Sequence, residues 1–196
     1  MTTMKQLHPD FRRTRGASLL EVLIAIVIMS FGLLAMGGLT AASIQYGKMA
    51  QFQTIGVQLA NDLADRMRAN ADGFNNVTGL CTSDCYNRTS AYSSTTAAIT
   101  VPTCAGTNCT YKEQADIDLA EWRNTLRTSL PGGDAYVVRD TVNKPAVDIW
   151  IMWIDPSLRA GTDTSLITSG SASCPTGAVA TGSTTVPHCL YFRAGI

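Results

Sequence analysis

Histidine is nearly absent from this chain: 196 residues hold only His8 and His188. Also missing are G-x-S-x-G, H-E-x-x-H and G-x-x-x-x-G-K-[ST], the short patterns of common hydrolases, zinc peptidases and nucleotide-binding loops. A Ser-His-Asp or Cys-His arrangement would have to rest on His188, since His8 lies in a basic N-terminal segment. His188 abuts Cys189 in a predicted strand, where a structural role is the expected one. Net charge is missing as well, with 15 basic residues against 15 acidic. That leaves no basic face or stripe of the kind that holds nucleic acid. Finally, no charged side chain occurs between Val22 and Gly47. Soluble core helices rarely run so far without charge. About 20 apolar residues at 1.5 Å rise each cross a bilayer, and this run is long enough.

What is there begins with asymmetry. Lys5, Arg12, Arg13 and Arg15 all precede Gly16, opposed only by Asp10; beyond residue 16 the balance becomes 11 basic to 14 acidic. Basic residues before an apolar span and few after it place the N-terminus in the cytoplasm and the C-terminus outside. An ordinary signal peptide has a shorter apolar stretch and a small-residue cut site after it. Here the small residue, Gly16, lies before the apolar run, so a cut there removes the charges and keeps the helix.

Six cysteines, Cys81, Cys85, Cys104, Cys109, Cys174 and Cys189, all follow the apolar run. An even number in an exported domain reads as disulfides. A zinc site is the rival for C-x3-C and C-x4-C, but zinc frameworks favour C-x2-C with histidine support. Six cysteines allow about 15 pairings. Short separations favour Cys81–Cys85, Cys104–Cys109 and Cys174–Cys189.

After the apolar run, Phe52, Ile55, Leu59, Leu63 and Met67 recur at steps of three and four, an apolar stripe on a continuing helix. Gln45, Lys48, Gln51, Asn61, Asp65 and Arg68 lie opposite. The helix is expected from Ala17 to near Ala71, with Asp72-Gly73 as its stop and Gly37-Gly38 as a candidate bend. Residues 72–112 read as a disulfide-stapled loop region with one short strand at 97–101. A second helix is expected over 113–130, with Leu119, Trp122, Leu126 and Leu130 on one side and Pro131-Gly132-Gly133 at its end. Asp116 and Asp118 fall in its first turn, where carboxylates complement the helix dipole. Strands are expected at 135–142 and 146–154, joined by Asn143-Lys144-Pro145, and again at 188–194. Val147, Ile149, Ile151 and Trp153 form the strand face expected to pack on the long helix. The fold class is therefore α+β.

The order of basic segment, Gly16 and then ASLLEVLIAIVIMSFGLLAMG resembles the N-terminus of type IV pilins and type II secretion pseudopilins. The resemblance implies that a prepilin peptidase cuts after Gly16 and methylates the new amine of Ala17. Glu21 then matches the family's glutamate, the fifth residue of the mature chain. The stretches LANDLADRMRAN, DLAEWRNTLRTSLPGG and VDIWIMWID are similar to minor pilins of the PilV family of type IV pilus modification proteins. That likeness implies a long N-terminal helix, transmembrane and then amphipathic, packed on an antiparallel sheet. It implies residues 1–16 as leader, 17–42 as the transmembrane and assembly half of the helix, and 43–196 as the periplasmic domain, with 43–71 its amphipathic helix. Expected partners are other minor pilins, the major pilin, the prepilin peptidase and inner-membrane lipid; no nucleic acid, metal, cofactor or active site is expected. A secretion pseudopilin is the near alternative. A membrane-anchored periplasmic binding or adhesion module, using residues 157–185, is the distant one.

A carboxylate at the bilayer centre costs about 2.5–3.5 kcal/mol on insertion scales, and less near the interface. Pairing with a cation lowers the cost further. In a bundle of staggered helices, the resemblance implies that Glu21 meets the Ala17 amine of a neighbour. In a low dielectric such a pair depends steeply on distance and can set axial register.

Overall fold

In the computed structural model, residues 18–77, 79–82, 84–140, 142–143, 145–154, 174–179 and 187–196 are described. The expected leader, Ala17, the Asp155-Pro156 break and most of 157–185 lie outside the described residues. The elements in chain order are α1 (Leu19–Ala69), α2 (Ala71–Asn75), α3 (Tyr111–Ser129), β1 (Asp134–Arg139), β2 (Ala146–Trp153) and β3 (His188–Gly195). This is an α+β, pilin-like fold: a long N-terminal helix, a small antiparallel sheet and disulfide-joined loops.

α1 runs without interruption through Gly37 and Gly38, so the turn is not melted there. Two glycines cost about 1 kcal/mol each relative to alanine, too little to break a helix with apolar turns on both sides. Its end comes earlier than expected. Asn70 leaves helical geometry at φ −116° and ψ 58°, and its side-chain oxygen accepts the Gly73 N–H at 3.3 Å, capping α2. Asp72 and Gly73, the expected stop, therefore lie inside α2. Gly73 is required there, because a Cβ would stand 2.6 Å from the Asn70 side-chain nitrogen and 3.0 Å from the Tyr111 carbonyl oxygen.

α3 starts two residues before the expected position. Thr110 accepts the Glu113 N–H at 3.2 Å while the Glu113 carboxylate accepts the Thr110 N–H at 2.8 Å, a complete capping box. The motif was written in T-Y-K-E. With Tyr111 as the first helical residue, Asp116 and Asp118 move out of the first turn, which corrects their expected dipole role.

β2 lies between β1 and β3, antiparallel to both. Register sorts the side chains cleanly. One face carries the rows Ala135–Ile151–Leu190, Val137–Ile149–Phe192 and Arg139–Val147–Ala194. These meet Leu59, Leu63 and Met67 of α1 and Trp122 and Leu126 of α3 in a single core cluster. Burying a Leu or Met side chain of this kind contributes about 1.5–3 kcal/mol. The predicted stripe is graded: Phe52 and Ile55 are half-buried, whereas Leu59, Leu63 and Met67 are buried. Gly56 lets α1 approach the sheet, since a Cβ there would stand 2.9 Å from a Leu190 methyl. The Trp122 indole N–H donates to the Leu59 carbonyl at 2.8 Å, tying α3 to α1.

The opposite face carries the aromatic row Tyr136–Trp150–Tyr191, with ring centroids 5.8 and 5.0 Å apart. β1 stops at Arg139 rather than 142, because the Asp140 carboxylate accepts the Val142 and Asn143 N–H groups and turns the chain. The short strand expected at 97–101 does not form. There the Asn124 side-chain amide accepts the Ile99 N–H at 2.7 Å and donates to its carbonyl at 2.8 Å, one side chain replacing a ladder. Cys81–Cys85, Cys104–Cys109 and Cys174–Cys189 are joined.

Candidate functional site

The chain divides into two units, Met1–Ile44 and Gln45–Ile196. Gly16 and Ala17, the expected cut site and methylated amine, lie outside the described residues. In the first unit the description begins at Ser18. Its carbonyl accepts the N–H groups of Glu21 at 2.9 Å and Val22 at 3.2 Å, so Ser18 opens α1. Glu21 then sits in the first helical turn, where a carboxylate faces the positive end of the dipole. Among the described residues it has no ion-pair partner.

From Leu19 to Leu39 the large apolar side chains are exposed on every side of the helix. The hydroxyl in this stretch and the one just past it are folded back on their own helix. Ser30 donates to the Ile26 carbonyl at 2.7 Å and Thr40 to the Met36 carbonyl at 2.8 Å. Such back-bonding leaves no side-chain hydroxyl seeking water, which suits an apolar solvent. By length and composition the helix can cross a membrane.

The second unit holds two buried polar clusters that sequence reasoning missed. Asp118, expected to complement the dipole of α3, is buried. It accepts the Tyr86 hydroxyl at 2.6 Å, the Gln114 amide at 3.0 Å and an Arg66 guanidinium N–H at 3.5 Å. Asn70 donates to the same hydroxyl at 3.1 Å and to the Tyr111 carbonyl at 2.7 Å. One knot thus joins the end of α1, the Cys81–Cys85 loop and α3. Burial, and then the neighbouring Asp118, push the Tyr86 phenol well above its ordinary range. A signal existed in the sequence: Ala115, Asp118, Trp122 and Leu126 form one helical stripe, and Asp118 is its polar member.

The second cluster surrounds Asp134, also buried. Its carboxylate accepts an Arg88 N–H at 2.7 Å and the Ser93 backbone N–H at 3.2 Å, with an Arg123 nitrogen at 3.9 Å. Burial first, and then the Arg88 charge, push the Arg123 guanidinium down to about 10 against the pull of Asp134. No sequence spacing joins residues 88, 123 and 134.

His188 lies against Trp153 with centroids 4.6 Å apart and the rings tilted by 55°, and its neighbour Cys189 is spent in a disulfide. Among the described residues no group of three or more His, Cys, Asp or Glu side chains could hold a metal ion. Residues 11–37 match the family described as the prokaryotic N-terminal methylation motif. No curated protein and no solved structure matches the chain. The matched motif is the class III prepilin leader, and it supports a type IV pilin-like protein, pilin or pseudopilin. With the apolar helix it fits membrane anchoring, and it implies processing by a prepilin peptidase and assembly with other pilins. It points to a structural protein rather than an enzyme.

Proposed function

We propose that the chain is a minor pilin of the type IV pilus, of the PilV kind. It is held in the inner membrane with its N-terminus cytoplasmic and its C-terminal domain periplasmic. It then joins other minor pilins to prime assembly of the pilus and to sit at its tip. The observation that carries the reading is the leader motif over residues 11–37 running directly into a helix apolar on all sides, with Glu21 in its first turn. Once the chain is cut after Gly16, the Ala17 amine is a new cation, and Glu21 takes the corresponding amine of a neighbouring subunit. Residues 1–16 act as leader, 17–42 as the membrane and assembly segment, and 43–196 as the displayed domain.

Deletion of the gene tests the role. Loss of surface pili while the major subunit still accumulates is the expected result; intact pili with failed protein secretion would make the chain a pseudopilin. Glu21→Ala should leave membrane insertion unchanged and reduce crosslinking to partner pilins, and full crosslinking in that variant would remove the assembly role. For processing, Gly16→Ala should leave a full-length precursor on mass spectrometry, and a mature start at residue 17 would refute the cut site.

A further inference from the structure

Around Asp134 the charges do not balance. Arg88, Arg123 and the adjacent Arg127 gather three guanidinium groups, and among the described residues Asp134, beside Arg88 and Arg123, is the one carboxylate paired with any of them. Their hydrogen bonds do not balance either. The buried Nε–H groups of Arg88, Arg123 and Arg127 all lack a protein acceptor among the described residues. Arg88 spends its terminal nitrogens on Ser90 at 2.7 Å and on Asp134, and Arg127 spends one on the Ala97 carbonyl. Among the described residues Arg123 has only the 3.9 Å approach to Asp134, too long for a hydrogen bond. A buried donor without an acceptor is costly, and a charged one more so. Those Nε atoms are enclosed; the terminal nitrogens of Arg123, without an acceptor among the described residues, are the donors that a further acceptor would relieve.

There is room for one. A shallow groove of about 450 Å³ is lined by Asn87, Arg88, Thr89, Ser90, Leu119 and Arg123. That size is within the range of small-ligand sites. Its lining supplies the guanidinium fork of Arg123, whose geometry matches carboxylate and phosphate oxygens, while Arg88 adds charge beside it. It also supplies two hydroxyls and an amide, and no carboxylate. Leu119 adds an apolar wall.

We propose that the groove between α3 and residues 87–90 binds an oxyanion, a carboxylate or phosphate group, carried by a ligand of up to sugar size. Arg123 is the principal contact, and Ser90 and Thr89 add hydroxyl donors. The site is independent of the N-terminal assembly segment.

The test uses the full chain in detergent micelles, with thermal unfolding followed by circular dichroism. Inorganic phosphate, glucuronate and neutral glucose are titrated at fixed ionic strength set with sodium chloride. Phosphate and glucuronate should raise Tm by about 4 °C at ten times their Kd. Glucose should do nothing. Tighter binding of glucuronate than of phosphate assigns a sugar-borne acid; the reverse assigns the free ion. Arg123→Gln should abolish both rises. In anion-free buffer it should not lower Tm, because it removes a poorly compensated buried charge. Should Arg123→Gln fail to fold, Arg123→Lys keeps charge and stem but loses the fork, and should weaken phosphate binding about tenfold. An equal rise with sodium chloride alone, a rise retained in Arg123→Gln, or undiminished affinity in Arg123→Lys would overturn the proposal.

Discussion

At the scale of single residues, the polar groups that matter in the second unit are those the sequence concealed. Asp118 and Asp134 look like ordinary surface acids until the fold places Tyr86 and Arg88 against them, from loops whose path no periodicity encodes. Tyr86→Phe removes the shortest bond to the Asp118 carboxylate and leaves a buried oxygen short of a donor. It should lower stability by about 1–3 kcal/mol in chemical denaturation of the full chain in micelles. Asp140 behaves differently because it is half-buried at a turn. The N–H groups of Asn143 and Val142 and the Arg193 guanidinium hold its carboxyl well below the usual carboxylate range. A depressed folded-state value means that its contribution is complete above the unfolded value of about 4. The contribution is lost as pH falls through the lower, folded value. The Tm difference between the native chain and Asp140→Asn should therefore be largest near neutrality and shrink on acidification; a difference independent of pH would remove Asp140 from the turn's stability.

At the scale of elements, what alternation and three-four periodicity can encode was legible. The buried face of β2, the α1 stripe and the Leu119–Leu130 side of α3 were all readable before the structure, because burial repeats with the pitch of the element. The ends were not. Asn70, Asp140 and Asn124 each use a side chain in place of backbone partners, ending α1, ending β1 and suppressing a strand. Asn124 reaches Ile99 from 25 residues away, and Asn70 and Asp140 act on backbone two or three residues on without a spacing that marks them in advance; only Thr110-x-x-Glu113 carries a local signature. Two glycines separate these effects. Gly133→Ala would place a Cβ 2.4 Å from the Leu126 carbonyl oxygen, backbone that cannot yield, so the turn after α3 must move. A loss of about 2 kcal/mol or more is expected. Gly56→Ala meets only the mobile end of Leu190, and alanine's helix preference of about 1 kcal/mol offsets the crowding. Its melting temperature should stay close to that of the native chain, and thermal denaturation of the pair compares the two directly.

At the scale of the whole molecule, the core cluster draws on no described residue before Phe52. A fragment beginning at Gln45 should therefore fold without detergent and keep a cooperative thermal transition; aggregation or a non-cooperative melt would show that the core needs the first unit. The disulfides divide by reach. Cys174–Cys189 closes 15 residues, against 4 and 5 for the other two. Chain entropy gives it about 3 kcal/mol. Its double serine variant should lose more stability than either of the other pairs' variants, as read by urea midpoints. The six cysteines and the N-terminal motif were visible in the sequence, since both are local patterns. The groove beside α3 was not, because it is assembled from residues 87–90 and from Leu119 and Arg123 of α3, which only the fold brings together.

The row Tyr136–Trp150–Tyr191 on the outer face of the sheet has an optical consequence. The chain has three tryptophans. Trp122 and Trp153 are fully buried, while Trp150 is half-buried between two tyrosines whose emission overlaps its absorption. Excited tyrosine at that separation transfers its energy inward, so Trp150 acts as a lamp lit from both sides. Acrylamide will quench this one emitter and spare the other two. Any subunit or ligand that settles on the outer face will protect it, and fluorescence alone will register the event without a label.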